Sequence, residues 1–387
     1  MNAVGRRLGR AALSWLLVGG VVSVAVHPED CARPSDDDLT EAAQLAVDWF
    51  AANLESDGRF LYRYDRGQAE DLGGYNDTRH AGVIWSLWQA EADGFEGAGE
   101  TAEAAFGHVE DRLVDTVLGP AFGTGSGSTG LLVAALDERR IATGLTDRDE
   151  LLVELGHTLA GVVNPDGSVS ADIHVTDGPT DTRSPFFTGE VMWALARLHL
   201  SFPDEGFDAP ALSVRRYLIE DRDEVEEPWP PVSDHWGAYA FETMDRWPSP
   251  PEITQAEEDW RSRQLGLFSL QVRYESQRRG GITRLTRGDI ALAAGVGTLG
   301  EGLGNHMLQL ERNGQRVSDQ GALRERADCA AHLLVTRQVT PTDAAPDADP
   351  PRTSGAWFRA RITQMDDQQH ALSALLLLRD TRRGEIP

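Results

Sequence analysis

A chain of 387 residues with 62 acidic against 36 basic side chains carries a formal charge of −26. That surplus repels phosphate backbones and anionic headgroups, which excludes nucleic acid and an acidic membrane surface as main partners. Apolar residues at 41% and charged residues at 25% are the proportions of a packed globular protein, not a disordered one. Every basic residue is arginine, the codon bias of a GC-rich genome.

The N-terminus carries the first local signal. Arg6, Arg7 and Arg10 precede an apolar run from Ala11 to Val26, which Pro28, Glu29 and Asp30 close. A basic stretch, an apolar stretch and then small residues (Ser23-Val24-Ala25) is the order of an export signal. Residues 1–27 are expected to be a signal peptide or signal anchor. The apolar run, about 16 residues, is short for a spanning helix, so membrane anchoring through residues 11–26 stands beside cleavage after Ala25. Residues 28–38 read as a short polar linker and 39–387 as one domain. The expected location is secreted, periplasmic or the outer face of the cytoplasmic membrane. Export permits a disulfide between the two cysteines, Cys31 and Cys329; two free thiols remain the alternative.

From residue 39 onward two kinds of helical segment alternate. Leu39–Leu54 is amphipathic, and Thr78–Ala92 is apolar on nearly all sides. Glu100–Leu118 is amphipathic and Ser128–Ala142 apolar. The same alternation pairs Asp147–Val162 with Thr188–Leu200, Ala209–Asp221 with Asp234–Trp247, Thr254–Gln277 with Asp289–Leu310, and Ser318–Val339 with Asp367–Arg379. A helix apolar all round must be buried all round, whereas an amphipathic one covers the outside. Six outer and six inner helices, repeating every ~60 residues, predict an all-α (α/α)6 toroid. Splitting the long, glycine-rich Asp289–Leu310 would raise the count to seven hairpins. Glycine turns precede several inner helices: Asp57-Gly58-Arg59-Phe60, Pro165-Asp166-Gly167-Ser168, Gly280-Gly281-Ile282 and Gly355-Ala356-Trp357. They predict short β-hairpin-like loops on one face.

In such a ring the inner helices open their N-termini on one face, where free N–H groups and helix dipoles converge. Polar residues concentrate there. Tyr75-Asn76-Asp77-Thr78-Arg79-His80 leads into one inner helix and Phe187-Thr188-Gly189-Glu190 into another. Ser233-Asp234-His235-Trp236 and Asp366-Asp367-Gln368-Gln369-His370 begin two more. Asn, Asp and Ser at such positions serve as caps, and a first-turn Glu is favoured by the dipole alone. Three helix starts that follow Asp with His at an offset of one to four exceed what capping requires. Ten Trp residues supply a core and, in part, a sugar-stacking wall, with Trp85, Trp88, Trp193, Trp236 and Trp357 as candidates.

In this pattern the sequence resembles the six-hairpin glycosidase-like (α/α)6 toroid superfamily, through bacterial members of unassigned activity. The segments Tyr75–Leu87, Thr188–Leu198, Asp234–Tyr239 and Gln369–Leu375 carry the resemblance. Together with the export signal it implies an exported carbohydrate-active enzyme, a glycoside hydrolase acting on a polysaccharide or cell-envelope glycan; no cofactor or metal is expected. Hydrolysing members place one carboxylate as acid and another as base on inner-helix loops. By position Glu190 takes the acid role and Asp77 or Asp234 the base. Tyr75, Asn76, Arg79, His80, His235, Trp236, Asp367 and His370 would bind substrate. Two alternatives stay open. One is a sugar epimerase in which paired histidines, His235 and His370, move protons. The other is a non-catalytic envelope protein that binds glycan or assists polymer assembly. Asp328, Cys329 and His332 match the zinc ligands of prenyltransferase toroids in residue type, yet they fall on an outer helix, where packing is the plainer reading.

Overall fold

The computed structural model describes residues 3–25, 29, 31–226, 231–278, 282–314 and 321–384. Twelve long helices among them form the ring. The outer ones are α1 (Asp36–Ala52), α3 (Ala98–Arg112), α5 (Asp149–Gly161), α7 (Asp208–Glu220), α9 (Gln255–Ser276) and α11 (Gly321–Arg337). The inner ones are α2 (Asp77–Ala92), α4 (Ser126–Thr143), α6 (Phe187–Ser201), α8 (His235–Asp245), α10 (Ala293–Arg312) and α12 (Met365–Arg383). Each inner helix packs on the next inner helix, and α12 returns to α2, so the ring closes. The segment suspected of splitting is one continuous helix, α10, and the count is six hairpins.

Local chemistry sets the helix starts. Ser35 and Asp38 form a reciprocal cap at α1, and Asp36, Asp37 and Asp38 complement its dipole. Helix α1 buries Leu39, Ala42, Ala46, Val47 and Phe50 and exposes Asp37 and Glu41. Helix α6 is buried without interruption from Thr188 to Leu198. Aromatic rings fill the axis of the toroid. Trp85 meets Trp193 edge-on at 4.8 Å, and Trp193 stacks on Trp236 at 5.4 Å. Trp88 and Trp357 are buried between helices, so of the five Trp candidates only Trp236 borders the opening described below.

Short antiparallel strands decorate the face where inner helices begin. Strand β1 (Arg63–Asp65) lies between β2 (Glu70–Asp71) and β7 (Ile362–Gln364); β3 (Leu113–Thr116) pairs with β4 (Gly119–Phe122), and β5 (Ile173–His174) with β6 (Gly178–Pro179). The glycine turns hold neighbouring outer helices together. Gly167 has φ +91°, and a Cβ there would lie 2.3 Å from the Ser213 carbonyl oxygen of α7. Gly355 has φ +83°, and a Cβ would lie 2.1 Å from the Leu45 carbonyl oxygen of α1. Only glycine permits both the backbone angle and the approach. The Gly280-Gly281 turn lies outside the described residues.

Cys31 and Cys329 form a disulfide with Cα atoms 4.9 Å apart, fastening the segment before α1 to α11. Cys329 is therefore no thiolate, which removes it from any zinc set with His332. Opening a link across 298 residues releases chain entropy in the unfolded state. The Cys31→Ser, Cys329→Ser variant is expected to lose about 2–4 kcal/mol in urea unfolding. An unchanged midpoint would mean that the link does not constrain the chain. A further helix, Ala3–Ala25, exposes Leu13, Trp15, Leu16, Leu17 and Val18 and touches the short helix Ile282–Arg287. Among the described residues no helix is long and apolar enough to cross a membrane. Residues 1–2 and 26–27 of the expected export signal, and 28 and 30 of the expected linker, lie outside the described residues.

Candidate active site

The N-termini of α2, α6, α8, α10 and α12 surround a cleft of about 350 Å³. Asn76 and Arg79 enter from α2, Glu190 from α6 and His235 and Trp236 from α8. Asp366 and His370 come from α12, and Phe186 and Phe187 form an apolar rim. The remaining inner helix, α4, begins with Gly125-Ser126-Gly127 and leaves room for its neighbours. A Cβ on Gly127 would lie 2.2 Å from Glu190 Oε2 and 2.4 Å from the Phe187 ring.

Glu190 is 4% exposed, and its Oε2 has no hydrogen-bond partner. Burial pushes its carboxyl up to about 8, against the pull of His370 and with a push from Asp234 and Asp366. The side chain is thus neutral and carries a proton near pH 7, directed at the cleft.

Behind it lies a second group. His370 Nδ1 is 2.8 Å from Glu301 Oε2, and His370 Nε2 is 3.9 Å from Asp366 Oδ1. Burial works against the His370 imidazolium, but Glu301, Asp366 and Glu190 together outweigh it and raise its affinity for a proton. The His235 ring stands 5.1 Å from the His370 ring, with Nε2 unpartnered and 3.9 Å from Glu301. Burial and the adjacent His370 push His235 well below the usual histidine range, so it stays neutral. The two rings are thus pushed in opposite directions, His370 toward the protonated form and His235 toward the neutral one, the kind of separation that assigns acid and base roles. The ligand atoms of His235, Glu301 and His370 lie within 4.8 Å of one another, so the trio also has the residue types of a metal site.

Arg79 crosses the mouth. Its Nε is 3.2 Å from Asp366 Oδ1, and its Nη1 donates to Tyr62 Oη at 2.7 Å.

The other residues singled out in the sequence face elsewhere. Asp77 turns outward, where His108 lies at 3.3 Å and Arg112 at 3.0 Å. Asp234 caps α8 by accepting from Gly237 N at 2.8 Å and pairs with the buried Arg222. Neither carboxylate lines the cleft. His80 donates from Nε2 to the Ala105 carbonyl at 3.1 Å and accepts from Tyr75 Oη at 2.7 Å. Burial and the nearby His108 push it down to about 3, which leaves His80 a neutral bridge between α2 and α3. Asp367 accepts from the backbone of Ala294 at 3.0 Å and Gln364 at 3.3 Å, while its neighbour Asp366 faces the cleft.

Glu301 was not among the sequence candidates. Its signal was present: a carboxylate between two glycines in a helix apolar nearly all round demands a partner. Glycines on α10 bring that partner close. A Cβ on Gly297 would lie 2.4 Å from the His370 backbone, and one on Gly304 2.7 Å from Leu377. Helix α12 therefore lies directly against α10, and His370 reaches Glu301.

No protein-family profile and no curated protein matches the sequence. Solved structures do match the fold. An unsaturated glucuronyl hydrolase specific for heparin superposes with a TM-score of 0.62 at 11% identity, over 91% of this chain and 100% of its own. A family GH76 α-mannanase from Bacteroides thetaiotaomicron gives 0.59 at 9% identity, over 89% and 96%. A sugar epimerase from a ruminal bacterium gives 0.56 at 12%, over 89% and 99%. The chain shares with these structures the fold of an (α/α)6 toroid.

Proposed function

We propose that this protein is a glycan-cleaving hydrolase in which Glu190 is the general acid. The observation that carries the reading is a buried, proton-bearing carboxyl without a partner at the floor of an inner-helix cleft. Glu190 protonates the glycosidic oxygen, and Asp366, ion-paired with Arg79, activates water from the other side. His370, His235 and Arg79 hold sugar hydroxyls, and Trp236 with the Phe186–Phe187 rim meets apolar sugar faces. This replaces Asp77 and Asp234 as the base, since both are engaged away from the cleft. The basic-then-apolar N-terminus supports a substrate outside the cytoplasm, a polysaccharide or envelope glycan.

The test incubates the full chain with envelope glycans and plant polysaccharides and follows new reducing ends by mass spectrometry. Glu190→Gln and Asp366→Asn are each expected to slow turnover about 10²–10⁴-fold with helicity intact. Undiminished turnover in Glu190→Gln sinks the assignment.

A second reading rests on the histidine pair beside Glu301, whose rings lie 5.1 Å apart and are pushed in opposite directions, His235 toward the neutral form and His370 toward the protonated one. These two could exchange a proton α to a sugar carbonyl, as in an epimerase. Deuterium from solvent appearing in an uncleaved sugar would favour it over hydrolysis.

A further inference from the structure

Beside the cleft, and sharing Arg79 with it, lies a groove of about 520 Å³. Its wall is the small sheet of β1 and β7. Arg63 on β1 sits opposite Gln364 on β7, and Arg359 opens the tight turn that leads into β7. Ala360 holds that turn with φ +57°, a conformation that a residue with a Cβ adopts only when its surroundings impose it.

The groove gathers positive charge. Neighbouring arginines are paired: Arg361, two residues from Arg359, lies 2.9 Å from Asp65, and Arg66 lies 2.9 Å from Asp347. The guanidinium groups of Arg63 and Arg359 have no hydrogen-bond or ion-pair partner among the described residues, although both line the groove. Two acids also line it, and both are engaged. Asp289 is 3.0 Å from Arg284, and Asp367 is buried on two backbone N–H groups. The groove therefore presents uncompensated positive charge beside the reaction centre. Arg63, half-buried, and Arg359, exposed, stand with Arg79 in one concavity and can take an anion from outside.

We propose that Arg63 and Arg359 bind an anionic group, a uronate carboxylate or a sulfate ester, on the sugar next to the one processed at Glu190. Arg79 links the two positions. Tyr62, whose hydroxyl holds Arg79, offers its ring to that sugar. This assignment rests on the carbohydrate reading of the cleft and names its substrate class: acidic glycans in preference to neutral ones.

The test measures binding by calorimetry, with the full chain carrying Glu190→Gln so that turnover does not interfere. Three probes are compared: a galacturonate trisaccharide, its carboxyl-reduced neutral counterpart and a 6-O-sulfated galactose trisaccharide. At least one anionic probe is expected to bind about tenfold or more tighter than the neutral one. Which of the two does so separates carboxylate from sulfate recognition. Adding Arg63→Gln and Arg359→Gln should remove that preference and leave affinity for the neutral probe unchanged. Arg63→Lys with Arg359→Lys should keep part of it, and the preference should shrink as salt rises. Equal affinity for acidic and neutral probes, or a preference untouched by the glutamine pair, overturns the subsite while leaving hydrolysis standing. Acid preference in a wild-type chain that cleaves nothing overturns hydrolysis and leaves the subsite. Absence of binding to all three overturns the subsite outright.

Discussion

Replacing Glu190 by Gln is expected both to slow turnover about 10²–10⁴-fold and to stabilise the fold at alkaline pH. Burial pushes the carboxyl up to about 8 in the folded chain, from the ordinary 4.5 of an exposed glutamate. Below pH 4.5 both folded and unfolded states hold the proton, and stability does not depend on this group. Between 4.5 and 8 the unfolded state releases the proton while the folded state keeps it, so stability falls as pH rises. Above about 8 the loss is complete, on the order of 3–5 kcal/mol for a fully buried group. Gln is neutral at every pH and similar in shape. The variant should therefore match the wild type in urea unfolding at pH 5 and exceed it by several kcal/mol at pH 8. Wild-type turnover should decline as pH climbs through about 8, because the acid loses its proton. Parallel stability profiles for the two proteins would show that Glu190 titrates as an ordinary carboxyl, and its role as acid would fall with them. A site that costs stability to maintain is a common sign of function.

The second large effect concerns a residue beside the cleft. Asp234→Ala removes the N-cap of α8 and strips Arg222, which is fully buried, of its buried partner. Asp223 at 2.9 Å is half-exposed and offsets only part of that loss. Breaking a buried pair from one side costs about 3–5 kcal/mol, and the lost cap about 1 more. Asp234→Asn with Arg222→Met leaves no unpaired charge and should recover much of the stability. Turnover should also fall in Asp234→Ala, since a Cβ on Gly189 would sit 2.9 Å from Asp234 Oδ1 and α6 thus rests on this carboxylate. The expected signature is a positioning defect. The kcat of Asp234→Ala drops, and the Asn–Met pair restores it together with stability. A stability loss under 1 kcal/mol would mean that the pair is not buried in solution.

How much of the site was readable turns on helix geometry. Periodicity is a local property, so alternating apolar and amphipathic segments were enough to place six outer and six inner helices and to point to the mouth of the inner ones. Direction around each helix is not local. Successive residues differ by about 100°, so Asp366 faces the cleft while Asp367 faces backbone, and His235 enters while Asp234 caps. At α2 the alternation sends Arg79 inward and Asp77 outward to His108 and Arg112. A string of polar residues at a helix start names the neighbourhood without naming the member that does chemistry.

What the sequence by itself determined, then, is the set of helices, their inner or outer character, the glycine turns and the face on which polar groups gather. Each depends on composition and spacing within one or two turns. Only the tertiary structure decided that Glu301 lies under both histidines, that Cys31 meets Cys329 and that Arg63 and Arg359 share a groove with Arg79. These are contacts between residues tens to hundreds of positions apart. They depend on how closely glycine lets α10 approach α12 and on where the ring closes, and neither is written in any single segment.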